Sequence, residues 1–241
     1  MRTNTITASQ PLFPSMPRRS RREVRDPYDG LRPWSAITHG MGAAAALAGT
    51  AALLLRSAGM GKWLHFYLFL VYGLSMIGLY TASTLYHCLN TPVAGRIALR
   101  KYDHCSIYLL IAGSYTPICL TVLKNSCGPI LLGAVWSLAL AGLILTLTKL
   151  SIPRWLSSAI YLFMGWLAVF AIVPIYYALP AAGFFWLLLG GILYSVGGVL
   201  YAVKWPGRNN PRFGCHEIFH LFILLGSAAH FILMYQVIAL S

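Results

Sequence analysis

Acidic residues are scarce in this chain. Five are present among 241 residues, and beyond Gly30 only Asp103 and Glu217 remain. Charged residues of both signs make up 10% of the sequence, where a soluble domain carries about 25%. With 58% hydrophobic residues, that shortage excludes an ordinary soluble domain. A paired-cysteine pattern is also lacking. Cys88, Cys105, Cys119, Cys127 and Cys215 form no CxxC, and their odd number argues against a disulfide framework. The N-terminal stretch lacks the short apolar core of a signal peptide, and Glu23, Asp26 and Asp29 weaken a transit-peptide reading. No basic stripe interleaved with aromatics would line a nucleic-acid groove. The net charge of +13 therefore implies no nucleic-acid partner.

What is present is a succession of apolar runs of roughly 20 residues, the length that crosses a bilayer as an α-helix. Residues 1–33 form a Pro- and Arg-rich tail expected to be disordered or membrane-surface associated. Residues 34–241 hold seven apolar segments, at about 35–55, 64–87, 103–123, 128–148, 155–178, 183–203 and 216–239. The predicted fold is all-α: a polytopic bundle of seven transmembrane helices in an integral, multi-pass protein, by expectation of the plasma membrane. Small residues from Gly40 to Gly49 suit close packing of the first helix. Pro117 and Pro174 are expected to kink the third and fifth. Seven spans put the termini on opposite sides. Of 18 Lys and Arg residues, all but Arg56, Lys62 and Lys124 fall on the tail side. That bias predicts a cytoplasmic N-terminus and an extracytoplasmic C-terminus.

This topology brings distant polar residues to one depth. The second segment ends at the cytoplasmic edge with Ser83 and His87. The third begins there with Asp103, and the seventh with His216, Glu217 and His220. Ionisable groups at membrane depth are costly and mark function. Ser83 and His87 are four residues apart, as are His216 and His220, so each pair shares a helix face. Two imidazoles so placed can meet one metal ion, with His87 as a third nitrogen ligand from another helix. Three histidines with an open fourth position form a recognised catalytic zinc (Zn2+) arrangement, in which the ion lowers the pKa of a bound water toward neutrality. Asp103 would orient that water or take its proton, and Ser83 would support a ligand or the bound oxygen.

The other histidines fit less well. His65 lies at the outer edge of the second segment. His230 sits about 15 Å along the helix from His220. His104 points about 100° away from Asp103. His39, at the cytoplasmic start of the first segment, is expected to pack, with a supporting place beside the metal as the alternative. Cys88, Cys105 and Cys215 are near the same edge, but each adjoins a better-placed residue. His216-Glu217-Ile218-Phe219-His220 formally matches HExxH, in which the Glu is a protease's general base. An intramembrane metalloprotease would add a remote Asp, often in Asp-Gly, and the one Asp-Gly here is Asp29-Gly30 in the tail.

Four stretches carry a family resemblance: Ser83-Thr84-Leu85-Tyr86-His87, Tyr102-Asp103-His104-Cys105-Ser106-Ile107-Tyr108, Ile111-Ala112-Gly113-Ser114-Tyr115-Thr116-Pro117, and Phe213-Gly214-Cys215-His216-Glu217-Ile218-Phe219-His220. Together they resemble the haemolysin III family, the bacterial branch of the progestin and adipoQ receptor superfamily, over nearly everything after residue 30. The resemblance implies a seven-helix bundle with its N-terminus inside, and zinc held by His87, His216 and His220 with Asp103 and Ser83 near its water. Animal relatives have a non-acidic residue at the Glu217 position, which argues against Glu217 as an obligatory base. Related alkaline ceramidases share the Ser/Asp/three-His pattern and hydrolyse lipid amides. One departure is visible. Many bacterial members carry a Glu pair before the first-segment His-Gly, whereas this chain has Leu31-Arg32-Pro33-Trp34-Ser35.

Three functions follow as expectations. The first is a zinc-dependent hydrolase acting on amide or ester bonds of a membrane lipid, in lipid homeostasis. The second is a non-catalytic sensor or receptor with a structural zinc. The third, suggested by the family's name alone, is cytolysis by a haemolysin; a lytic toxin should be soluble before insertion, and these segments could not be.

Overall fold

The computed structural model describes residues 31–148, 154–207, 210 and 213–241. The basic tail expected over residues 1–33 lies outside them, except for its last three residues. The described chain is helical throughout. It runs as α1 (Pro33–Gly59), α2 (Trp63–Cys88), α3 (Val93–Leu120), α4 (Gly128–Leu147) and α5 (Arg154–Gly165). A 3-10 stretch (Trp166–Ala171) follows, then α6 (Ile172–Ala178), α7 (Ala181–Val203), α8 (Cys215–Gln236) and a final 3-10 turn (Ile238–Leu240). Leu156–Ala178 makes one crossing segment from α5, the 3-10 stretch and α6. Six segments are long and apolar enough to span a membrane. The seventh long helix, α3, carries Arg96, Arg100, Lys101 and Asp103 in its first three turns, and those charges dilute its hydropathy.

Large apolar side chains cover the outside, with Leu55 74%, Ile130 78% and Phe170 82% exposed. In water such a surface would drive aggregation; in a bilayer it is solvated by lipid. The protein is a multi-pass integral membrane protein.

Neighbouring helices in sequence pack side by side: α1 on α2, α2 on α3 and α3 on α4. α8 lies against both α7 and α1, and α5 bridges α7 and α3, which closes the bundle. On α1 the buried face is a stripe of Ser35, His39, Gly42, Ala46, Thr50, Leu53 and Ser57, repeating every three or four residues as one helix face must. Of the small residues in this helix, Gly42 and Ala46 are buried whereas Ala44 and Ala45 face outward. The helices approach closely where α1 meets α2: a methyl group placed on Gly73 would lie 2.3 Å from the Thr50 side chain.

The two prolines behave differently. Pro117 sits inside a helix that continues to Leu120. Pro174 lies in α6, directly after the 3-10 stretch that interrupts the fifth segment. A proline cannot donate to the carbonyl four residues back and crowds it, so tighter i to i+3 bonding upstream is a natural accommodation.

Candidate metal centre

The ends of α2, α3 and α8 and the start of α1 meet at one edge of the bundle. There one ring nitrogen from each of His87, His216 and His220 lies within 4.8 Å of the other two. His87 Nε2 and His216 Nε2 are 3.1 Å apart, joining residues 129 positions apart in sequence. Two nitrogens bound tetrahedrally at about 2.0–2.1 Å from one ion would stand roughly 3.3 Å apart. That pair is therefore already at ligand spacing, and His220 needs only a modest inward shift. His87 and His220 are buried, at 1% and 2% exposure. Three imidazoles gathered where water is largely excluded are a donor set suited to a transition-metal ion.

The helices explain the convergence. His216 and His220 are one turn apart near the start of α8, on the face toward α1 and α2. His87 is the penultimate residue of α2. The end of α2 is held by Arg96 of α3, itself buried. Its guanidinium donates to the carbonyls of Tyr86 and Leu89 and lies 4.4 Å over the Tyr86 ring. One turn before His87, the buried Ser83 hydroxyl lies beside the Asp103 side chain of α3. Asp103 stands outside the close triad. All five sequence-predicted residues thus occupy this edge, three as a nitrogen cluster and two as a hydroxyl–carboxylate pair beside it.

Two residues have clearer places here than in the sequence. His39 stacks on His220, with ring centroids 3.6 Å apart and planes 15° from parallel, and meets the Tyr80 ring edge-on at 5.1 Å. It therefore forms a wall of the centre. Glu217 is turned away from the imidazoles. Its Oε1 accepts from Arg32 Nη1 at 3.0 Å and from Ser35 Oγ at 3.1 Å, and its Oε2 accepts from the Gly214 N–H at 2.9 Å. The last bond is the reach-back half of a capping box, which satisfies a free donor at the start of α8. Glu217 is thus engaged as a helix cap and ion-pair partner. Sequence reasoning did not find Arg32, because it precedes the apolar pattern and looks like the end of the basic tail. A signal was available: Arg32 precedes Pro33, and a residue before proline is held extended, facing out of the helix that follows.

His230 packs edge-on against Tyr194 and contacts the Leu187 carbonyl. The five cysteines are unpaired, and none joins the triad.

The family model described as Haemolysin-III related matches residues 33–231. The chain belongs to the haemolysin III family. It is 42% identical over 197 residues to "Hemolysin-3 homolog" of Bacillus subtilis (strain 168), a match covering 82% of this chain and 89% of that protein. It is 40% identical to "Hemolysin-3" of Bacillus cereus, covering 82% and 87%. A more distant match, 30% identical over 185 residues, is to "Adiponectin receptor protein" of Drosophila melanogaster, covering 67% of this chain and 41% of that protein. Haemolysin III membership thus extends to a relationship with adiponectin receptors, and the family-model match contains the triad together with Ser83 and Asp103.

Proposed function

We propose that His87, His216 and His220 hold a zinc ion with one position open, and that Asp103 and Ser83 direct the site to hydrolysis of an amide or ester bond in a membrane lipid. The observation that carries this reading is a triad of imidazoles, two of them buried, with the Ser83 hydroxyl and the Asp103 carboxylate beside it but outside the triad. Three neutral nitrogen donors fit zinc, and a fourth protein ligand would close the site that a hydrolase needs open. When bound, zinc would supply a Lewis acid and a water acidified toward neutrality.

The chain's own residues would do the rest. Asp103 takes a proton from the attacking water and returns it to the departing amine or alcohol, so that water is split between the two products. Ser83 orients the Asp103 carboxylate and offers a polar contact to the carbonyl oxygen as charge builds there. The buried walls, His39 and Tyr80 among them, limit the water that reaches the site. The apolar exterior suits a substrate that arrives through the bilayer.

The test combines zinc analysis of purified protein with lipid profiling of cells that express wild type, His220→Ala or Asp103→Ala. Wild type and Asp103→Ala should carry zinc, and His220→Ala should not. An acyl amide or ester should accumulate with both variants. Equal zinc in His220→Ala and wild type overturns the ligand assignment. Zinc loss with an unchanged lipid profile overturns the hydrolase and favours a sensor with a structural ion. Lysis of red cells by low concentrations of purified protein would favour cytolysis instead.

A further inference from the structure

His87 and His216 lie on separate helices, and no covalent link sets their spacing. Contacts between helix ends must set it, and one residue touches both. The Arg32 backbone N–H donates to the His87 carbonyl at 3.1 Å. The Arg32 guanidinium donates to Glu217, the residue after His216, at 3.0 Å. Arg32 can reach both because it stands just ahead of Pro33, with φ −129° and ψ 89°. In that extended conformation its N–H points out of α1 toward α2, while its side chain runs along the start of α8.

Glu217 is 1% exposed. A buried carboxylate is stable there only while its partners remain; removing the cation leaves an uncompensated charge that must be neutralised or must rearrange. Its other partners, Ser35 Oγ and the Gly214 N–H, belong to the first turn of α1 and the cap of α8. A shift of Glu217 would therefore move the α8 turn bearing His216 relative to the start of α1, and through the Arg32 backbone relative to His87. Arg96 holds the end of α2 against α3.

We infer that Arg32 and Glu217 form a positioning clamp that sets the spacing of His87 and His216 and thereby the metal affinity of the centre. The inference rests on the zinc reading above. Neither residue is a ligand. Both act through the helix ends they join, as partners of metal-bearing residues commonly do.

The experiment measures zinc affinity of the full chain in detergent, by competition with a chromophoric chelator, alongside thermal unfolding of the metal-free protein. Arg32→Ala should weaken zinc binding about tenfold to a hundredfold, and Arg32→Lys should restore part of the loss. The control is Lys62→Ala, at the opposite edge, where Lys62 Nζ donates to the Ser241 carbonyl at 2.7 Å. It should lower the unfolding temperature and leave zinc affinity unchanged. If Arg32→Ala does not fold, Glu217→Gln is read the same way, because it keeps an acceptor for Gly214 and removes the charge. Wild-type affinity in Arg32→Ala, or an equal loss of affinity in Lys62→Ala, overturns the clamp and leaves the zinc centre standing. A wild-type chain that binds no zinc overturns the zinc centre itself and the clamp with it.

Discussion

At the scale of single residues, Glu217 shows how a motif can be satisfied by letters and refused by geometry. HExxH places a carboxylate beside two imidazoles in sequence, yet here that carboxylate faces Arg32, Ser35 and the Gly214 N–H. Removing a positioned general base costs typically 10²–10⁴-fold in rate. Glu217→Gln should show no such loss when zinc is supplied in excess, whereas Asp103→Asn should show it with zinc fully bound. Steady-state turnover of a lipid amide or ester at saturating zinc separates the two. A collapse in Glu217→Gln under those conditions would return the protease-like reading. The grouping of His87, His216 and His220, with Ser83 and Asp103 at the same edge, was legible in the sequence, because four-residue spacing and the order of spans bring these residues to one depth. The ion-pair clamp was not: a charge at the end of a basic tail carries no sign of what it will face, and the partner lies 185 residues away.

At the scale of helices, close packing without large side chains is concentrated at particular glycines. A methyl on Gly73 would meet Thr50 at 2.3 Å. Thr50 is β-branched, and its hydroxyl is bonded to the Ala46 carbonyl, so it has little freedom to turn aside. Gly73→Ala should destabilise the bundle by about 1–3 kcal/mol, the usual cost of overpacking. Gly78, on the same helix, has nothing within 4 Å, and Gly78→Ala should be neutral or stabilising by up to about 1 kcal/mol through helix propensity. Thermal unfolding in detergent compares them; equal effects would refute the packing argument. Deeper in the bundle, Ser227 of α8 joins Tyr80 of α2 at 2.6 Å and Tyr194 of α7 at 2.8 Å. Ser227→Ala leaves both phenols short of a partner. It should cost about 1 kcal/mol, within the range for hydrogen bonds between membrane helices, and Tyr194→Phe in the same background should add little. Helix positions were read from hydropathy to within a few residues, with α3 as the exception. It begins at Val93, ten residues before the apolar run, because Arg96 is buried by its bonds to α2 carbonyls and not by apolarity.

At the scale of the whole molecule, the tail-side edge carries the triad and the opposite edge carries Lys62 against the C-terminal carbonyls. The excess of Lys and Arg on the tail side predicts that the triad's edge faces the cytoplasm. Cys88 is exposed at that edge, and Ser241 is exposed at the other. With all other cysteines replaced, an impermeant thiol reagent applied to intact cells should label Ser241→Cys and reach Cys88 only after permeabilisation; the reverse pattern would invert the topology. In the proposed centre, one zinc ion sits on three imidazoles drawn from α2 and α8. X-ray absorption at the zinc edge tests it most directly, on purified wild type and on the three single His→Ala variants. One zinc per chain is expected, bound by three imidazole nitrogens and one oxygen from water, with loss of that zinc in His87→Ala, His216→Ala and His220→Ala alike. A full zinc equivalent retained in any of the three, or a wild-type ligand shell without three imidazoles, would contradict it.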